Sequence, residues 1–213
     1  MNDLVITLLP ILLAVLAAYL LGSVPFAMIS SRIFGLADPR SYGSGNPGAT
    51  NVLRSGHKMA AAMTLLGDMA KGWLAVFLAQ TLAVKYGFSQ TFVGAVALSV
   101  FLGHLFPVFL KFKGGKGVAT AAGVLLALDF RLGLIVLATW LTIAFTLRYS
   151  SLAALVSAVA APIVALLLWG ESALILVLAV GAIAAALIFK HWSNLQRLMA
   201  GTEPKIGAKK TSG

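Results

Sequence analysis

Four short polar clusters interrupt an otherwise apolar chain: residues 43–54 (G-S-G-N-P-G-A-T-N-V-L-R), 111–120 (K-F-K-G-G-K-G-V-A-T), 148–151 (R-Y-S-S) and 190–197 (K-H-W-S-N-L-Q-R). Cations, hydroxyls, amides and glycines are the groups that bind phosphate, and each cluster stands at the end of an apolar run. In the first, Gly43, Gly45 and Gly48 let backbone amides turn inward, while Ser44, Asn46, Thr50 and Asn51 add side-chain donors. Arg54 follows Asn51 by three residues, so on a helical turn the pair shares a face, and its guanidinium is a planar fork suited to phosphate oxygens. The second cluster opens an apolar helix with Lys113, Lys116, Gly114, Gly115 and Gly117. Bare amides at a helix N-terminus beside ammonium groups form an anion site. It is not a Walker A loop, because Gly117 rather than Ser or Thr follows Lys116. Ser150 and Ser151 stand where one hydroxyl caps the next helix and the other is left for a ligand. His191 and Asn194 are spaced i,i+3, flanked by Lys190 and Arg197, an arrangement that binds ligand or moves a proton.

The elements that must position these groups follow from composition. With 60% hydrophobic and 10% charged residues and a mean hydropathy of +0.98, the chain is expected to be an all-α integral membrane protein in one domain, 1–200, with a flexible basic cytoplasmic tail at 201–213. Apolar runs cover 4–33, 59–84, 92–110, 118–128, 132–147, 152–169 and 172–189, giving about seven transmembrane helices. The fourth run is short, so it begins inside the glycine cluster or is partly re-entrant. Met1, Asn2 and Asp3 precede the first run in place of a positive n-region, which reads as a retained span and not a cleaved leader. With the N-terminus outside and seven crossings, all basic residues but Lys71, Lys85 and Arg131 fall on the cytoplasmic side, together with all four clusters and the C-terminus.

A net charge of +10 with no extended basic face outside the apolar runs points to anionic headgroups and anionic substrates, not nucleic acid. The absence of cysteine excludes disulfides, thiolate metal sites and a thioester on the enzyme. No cofactor or metal is expected. Asp68 and Lys71, i,i+3 inside the second run, pair as a structural brace, because either charge alone in lipid is costly. His104 near the end of the third run reads as a buried hydrogen-bonding histidine, and His57 as a loop residue.

The runs G-S-G-N-P-G-A-T-N-V-L-R and F-K-G-G-K-G-V-A-T, with the Y-S-S and H-x-x-N elements, resemble the signatures of the bacterial acyl-phosphate-dependent glycerol-3-phosphate acyltransferases, the PlsY family, and the likeness extends over nearly the whole chain. The resemblance implies transfer of a fatty acyl group from acyl phosphate to the 1-hydroxyl of glycerol 3-phosphate, giving lysophosphatidic acid and phosphate, at the cytoplasmic face of the bacterial inner membrane. Besides these two substrates, the implied partners are membrane lipids. By position, Ser44, Arg54, Lys113, Lys116, Ser150, Ser151, His191 and Asn194 carry over, with His191 and Asn194 as the catalytic pair. Gly45, Asn46, Asn51, Gly115 and Gly117 complete the phosphate-binding set. The base is either His191 or the leaving phosphate, and substrate assistance with His191 and Asn194 orienting is the favoured form. No His-x-x-x-x-Asp pair exists, since Ala62, Phe109 and Gln196 stand five residues after the histidines, which disfavours an acyl-CoA or acyl-carrier donor. The rival reading is a small transporter of an organophosphate anion; it calls for charge at the bilayer midplane and internal symmetry, and the clusters show neither.

Overall fold

Helix α1 covers Asn2–Ser23 and α2 covers Phe26–Ile33 in the computed structural model, which describes residues 2–207 with side chains from residue 8 onward. The single run expected over 4–33 is therefore broken at Val24–Pro25, where the proline ring cannot donate the amide that continuation requires. The Val24 carbonyl at the break accepts a hydrogen bond from the Lys71 ammonium at 2.9 Å.

The remaining helices are α3 (Ala49–Leu53), α4 (Lys58–Tyr86), α5 (Gln90–Leu105), α6 (Val118–Leu128), α7 (Phe130–Thr146), α8 (Ser150–Trp169), α9 (Leu174–Lys190) and α10 (Trp192–Met199). Among the described residues there is no strand. Leu8–Ile33, Lys58–Tyr86, Gln90–Leu110 and the stretch Ser150–Lys190 are long and apolar enough to cross a bilayer. With 11 residues, α6 reaches only about 16 Å of a hydrocarbon core roughly 30 Å thick, so it does not cross alone.

Helix α1 packs on α5, α4 on both α5 and α6, α7 on α6 and α8, and α9 on α8 and α5. Phe101, Leu105, Val76, Val100 and Val124 fill the main core. Large apolar side chains such as Leu12, Phe145 and Leu167 face outward, as they do where the surroundings are lipid.

One register matters for the site. Gly72 of α4 lies against the Thr120 backbone of α6, and Gln80 donates to the Leu128 carbonyl at 3.2 Å. Both pairs are separated by the same 48 positions, so the two helices run parallel in fixed register and Val118 lies level with residue 70. A Cβ at Gly123 would run into the Met69 carbonyl, so the helices meet backbone to backbone. The glycine cluster that opens α6 therefore sits about a dozen residues, roughly 18 Å, along α4 from its start at Lys58. It is recessed into the helix assembly.

At the other end of α6, Asp129 accepts from the Arg131 amide at 2.8 Å and from Trp169 Nε1 at 3.1 Å. Hydrogen bonding from the Arg131 guanidinium, which outweighs partial burial, holds the Asp129 carboxyl well below the usual carboxylate range.

Candidate functional site

Each cluster lies where a helix begins or ends, and side chains tie the four together. The first is a loop closed on Asn51. Its Oδ1 accepts from the Ser44 amide at 2.9 Å and from Ser44 Oγ at 3.2 Å, while Nδ2 donates to the carbonyls of Pro39 at 2.6 Å and Tyr42 at 3.1 Å. Asn51 thus spends its polar atoms shaping the loop rather than offering them to a ligand. The turn depends on Gly43, whose φ of 60 is left-handed and whose missing Cβ would collide with the Asn51 amide. Ser44 and Gly45 are exposed on its surface, Asn46 is half-buried, and Arg54 at the end of α3 is exposed with no ion pair among the described residues.

The second cluster delivers α6. Gly117 is its N-cap at φ 87, and a Cβ there would strike the Phe101 ring, so the helix can start at this point only from glycine. The first hydrogen bond of the helix runs from the Ala121 amide to the Gly117 carbonyl, which leaves the amides of the preceding turn for an anion. Gly115 is buried and Lys116 half-buried, whereas Lys113 is exposed and, among the described residues, no hydrogen bond joins it to another candidate.

Lys116 donates to Asn194 Oδ1, the short contact that joins the second cluster to the fourth. Burial lowers the Lys116 ammonium to about 8, helped by the charges of Arg197, Arg54 and Lys190 and opposed by Glu203.

His191 joins α9 to α10 and is buried. Its Nδ1 lies 2.8 Å from the Leu187 carbonyl, so Nδ1 carries the proton and Nε2 keeps a free lone pair. Burial lowers the imidazole to about 4, with the Lys116 charge adding to it against the Leu187 hydrogen bond. The ring is therefore neutral at physiological pH.

Sequence reasoning missed Glu203. Its Oε1 accepts from Ser151 Oγ at 2.6 Å and from Asn194 Nδ2 at 2.7 Å, and Oε2 accepts from Arg197 Nε at 2.7 Å. Burial alone would raise this carboxyl, but the three donors outweigh it and hold it below its usual value. The tail expected from residue 201 is described as far as Gly207, and that part is held: besides Glu203, the Ile206 amide donates to the Arg148 carbonyl and Arg148 Nη2 donates to the Ile206 carbonyl at 2.8 Å. Residues 208–213 lie outside the described residues.

Neither serine of the third cluster caps α8, whose N-cap is Tyr149 without a side-chain bond. Ser151 is given to Glu203, and Ser150 Oγ lies 3.4 Å from Thr50 Oγ1, linking the third cluster to the first.

A family model described as glycerol-3-phosphate acyltransferase matches residues 12–201. A glycerol-3-phosphate acyltransferase of Dechloromonas aromatica (strain RCB) is 66% identical over 200 residues, covering 94% of this chain and 98% of its own length. One of Ralstonia nicotianae is 62% identical over 194 residues, covering 91% and 93%. Among solved structures, the crystal structure of PlsY, an integral membrane glycerol 3-phosphate acyltransferase, in its glycerol 3-phosphate form matches with a TM-score of 0.85 at 35% identity, covering 93% of this chain and 96% of that one. Its lysophosphatidic acid form matches with a TM-score of 0.83 at 34% identity over the same shares.

Proposed function

The chain belongs to the glycerol-3-phosphate acyltransferase family, and we propose that it takes its acyl group from acyl phosphate and delivers it to the 1-hydroxyl of glycerol 3-phosphate at the inner face of the bacterial cytoplasmic membrane. The observation that carries this reading is the excess of cation in the recess. The charges of Arg197, Arg54 and Lys190 bear on Lys116, with the carboxylate of Glu203 opposing them. Two phosphorylated substrates supply the missing negative charge. A donor already activated as a mixed anhydride needs no enzyme nucleophile, in keeping with a chain that has no cysteine.

In the proposed step the glycerol 1-hydroxyl oxygen attacks the acyl carbonyl carbon, the bond from that carbon to the phosphate oxygen breaks, and its electron pair leaves on phosphate. The hydroxyl proton passes to the leaving phosphate, which grows more basic as the bond breaks. Lys116 and the α6 amides hold phosphate charge, Arg54 clamps a second set of oxygens, and His191 Nε2 accepts the hydroxyl hydrogen bond that aims the nucleophile. The apolar helix faces take the alkyl chain. The inner-face location rests on the distribution of basic residues along the chain.

A neutral His191 that orients and does not titrate has a visible consequence. Any acidic limb of kcat/KM near the ordinary imidazole value of about 6.5 is expected to belong to the substrate phosphate, whose second ionisation falls at about 6, and to persist in His191 variants. His191→Gln, which keeps an acceptor, is expected to retain about tenfold more activity than His191→Ala, by the worth of one oriented hydrogen bond. Equal loss in both variants, or an acidic limb at the imidazole value that vanishes with His191, assigns it the base role instead.

The donor is tested with protein reconstituted in lipid and given labelled glycerol 3-phosphate. Acyl phosphate is expected to yield labelled lysophosphatidic acid and one equivalent of phosphate, and acyl-CoA little product. Equal rates from acyl-CoA would remove the donor assignment, and phosphate release without lysophosphatidic acid would remove transfer.

A further inference from the structure

Beneath the glycine loop lies a buried polar group that the acyl transfer step does not use. Asp68 and Lys71 of α4 form an ion pair at 2.8 Å with both side chains almost wholly buried, and His104 Nδ1 of α5 lies 3.4 Å from the same Asp68 oxygen. Lys71 is fixed in turn by the Val24 carbonyl. The carboxylate lies on the Nδ1 side of the ring, and Nε2 is directed the other way. On that side is Gly115. A Cβ on Gly115 would collide with His104 Nε2 and stand 3.0 Å from Cε1, and a Cβ on Gly114 would collide with the His104 carbonyl. The loop backbone therefore rests on the imidazole without a side chain between them. A small cavity bordered by Asp68, Lys71 and His104 is also bordered by Pro47, Gly114 and Gly115, so both glycine loops meet this group.

We propose that His104, oriented by Asp68 and Lys71, is a positioning residue for the acyltransferase reaction: its imidazole is the seat on which the Gly114–Gly117 loop is set, and through that loop it places Lys116 and the α6 amides against phosphate. This rests on the assignment of Lys116 to phosphate. The register of α4 and α6 gives the seat its leverage, because it puts the loop level with Asp68 and not at the end of α4. Displacement of the loop by an ångström is enough to cost about a hundredfold in kcat/KM.

The test is a cycle of Gly115→Ala, His104→Ala and their combination in lipid-reconstituted protein, read as KM for glycerol 3-phosphate, kcat and thermal midpoint. Gly115→Ala alone is expected to lower kcat/KM by about a hundredfold, because the new methyl must lift the loop off the ring. In the His104→Ala background the methyl occupies vacated space, and the same change is expected to cost about tenfold less. His104→Gln, whose amide reaches the place of Nε2, is expected to recover most of the loss of His104→Ala at the same thermal midpoint; where His104→Ala does not fold, His104→Asn, which keeps a donor on the Asp68 side and vacates the place of Nε2, takes its place in the cycle. Losses that simply multiply, or a folded His104→Gln with KM and kcat both as poor as the alanine variant, overturn the proposal. Lys116→Gln run alongside separates the two readings: if it leaves KM for both glycerol 3-phosphate and acyl phosphate unchanged, the phosphate assignment fails, whereas if it raises either KM and the cycle is additive, only the seat fails.

Discussion

Lys116→Met is expected to lower kcat/KM by about three orders of magnitude while leaving the protein folded. The half-buried ammonium feels the charges of Arg197, Arg54 and Lys190, and burial has already lowered it to about 8. Removing a desolvated cation from its anionic partner costs about 2–5 kcal/mol, and every 1.4 kcal/mol or so is tenfold in rate. Methionine matches the stem in length and brings no charge to desolvate, so the ligand-free fold has nothing to lose except the bond to Asn194.

The same shift fixes a pH dependence and its sign. Only the protonated amine holds phosphate, so kcat/KM in the parent is expected to fall above about 8. Lys116→Arg, which stays charged, is expected to move that limb out of range at reduced activity, since a guanidinium does not fit the same point. Stability runs the other way: the folded value lies below the ordinary lysine value of 10.5, the unfolded chain binds more protons between the two, and ligand-free stability therefore rises with pH across that window. Activity within tenfold of the parent for Lys116→Met, or an unmoved basic limb in Lys116→Arg, is the result that contradicts this role.

The sequence made the four clusters legible because each interrupts an apolar run, and in a membrane protein such interruptions gather at helix ends. Residue type did not reveal how each polar group is spent. Asn51 has the inventory of a ligand donor, yet four hydrogen bonds to its own loop consume it. Ser151 stands where serine caps a helix, but a carboxylate from a distant segment outbids the local amide. The shortness of α6 was visible as an apolar run of 11 residues, while its depth was not, because depth follows from the backbone contacts of Gly72 and Gly123 with a partner helix. Each of these is a tertiary decision between two locally acceptable uses of one side chain.

Glu203 was hidden in the same way and carries the other large effect. In G-T-E-P-K it looks like one charge in a basic tail, although a chain with 16 basic and 6 acidic residues needs some acid to space the cations of its site. The structure uses it as a hub. One carboxylate gathers Ser151 from α8 and Asn194 and Arg197 from α10, and Asn194 in turn receives Lys116. Glu203→Ala leaves two buried donors and a guanidinium without an acceptor, a loss of about 3–5 kcal/mol against a native stability of about 5–15 kcal/mol in ordinary domains. The expected result is a thermal midpoint lowered by many degrees and little recoverable activity. Glu203→Gln separates the structural part from the electrostatic one. Its carbonyl oxygen still accepts from Ser151 and Asn194, so most of the stability is retained, but its amide turns donors toward Arg197, and Lys116 loses the one negative charge that opposes its deprotonation. The basic limb of kcat/KM is therefore expected to move to lower pH in Glu203→Gln. A Glu203→Ala protein as stable as the parent, or a Glu203→Gln profile superimposable on it, would mean that the segment after α10 merely lies on the site without organising it.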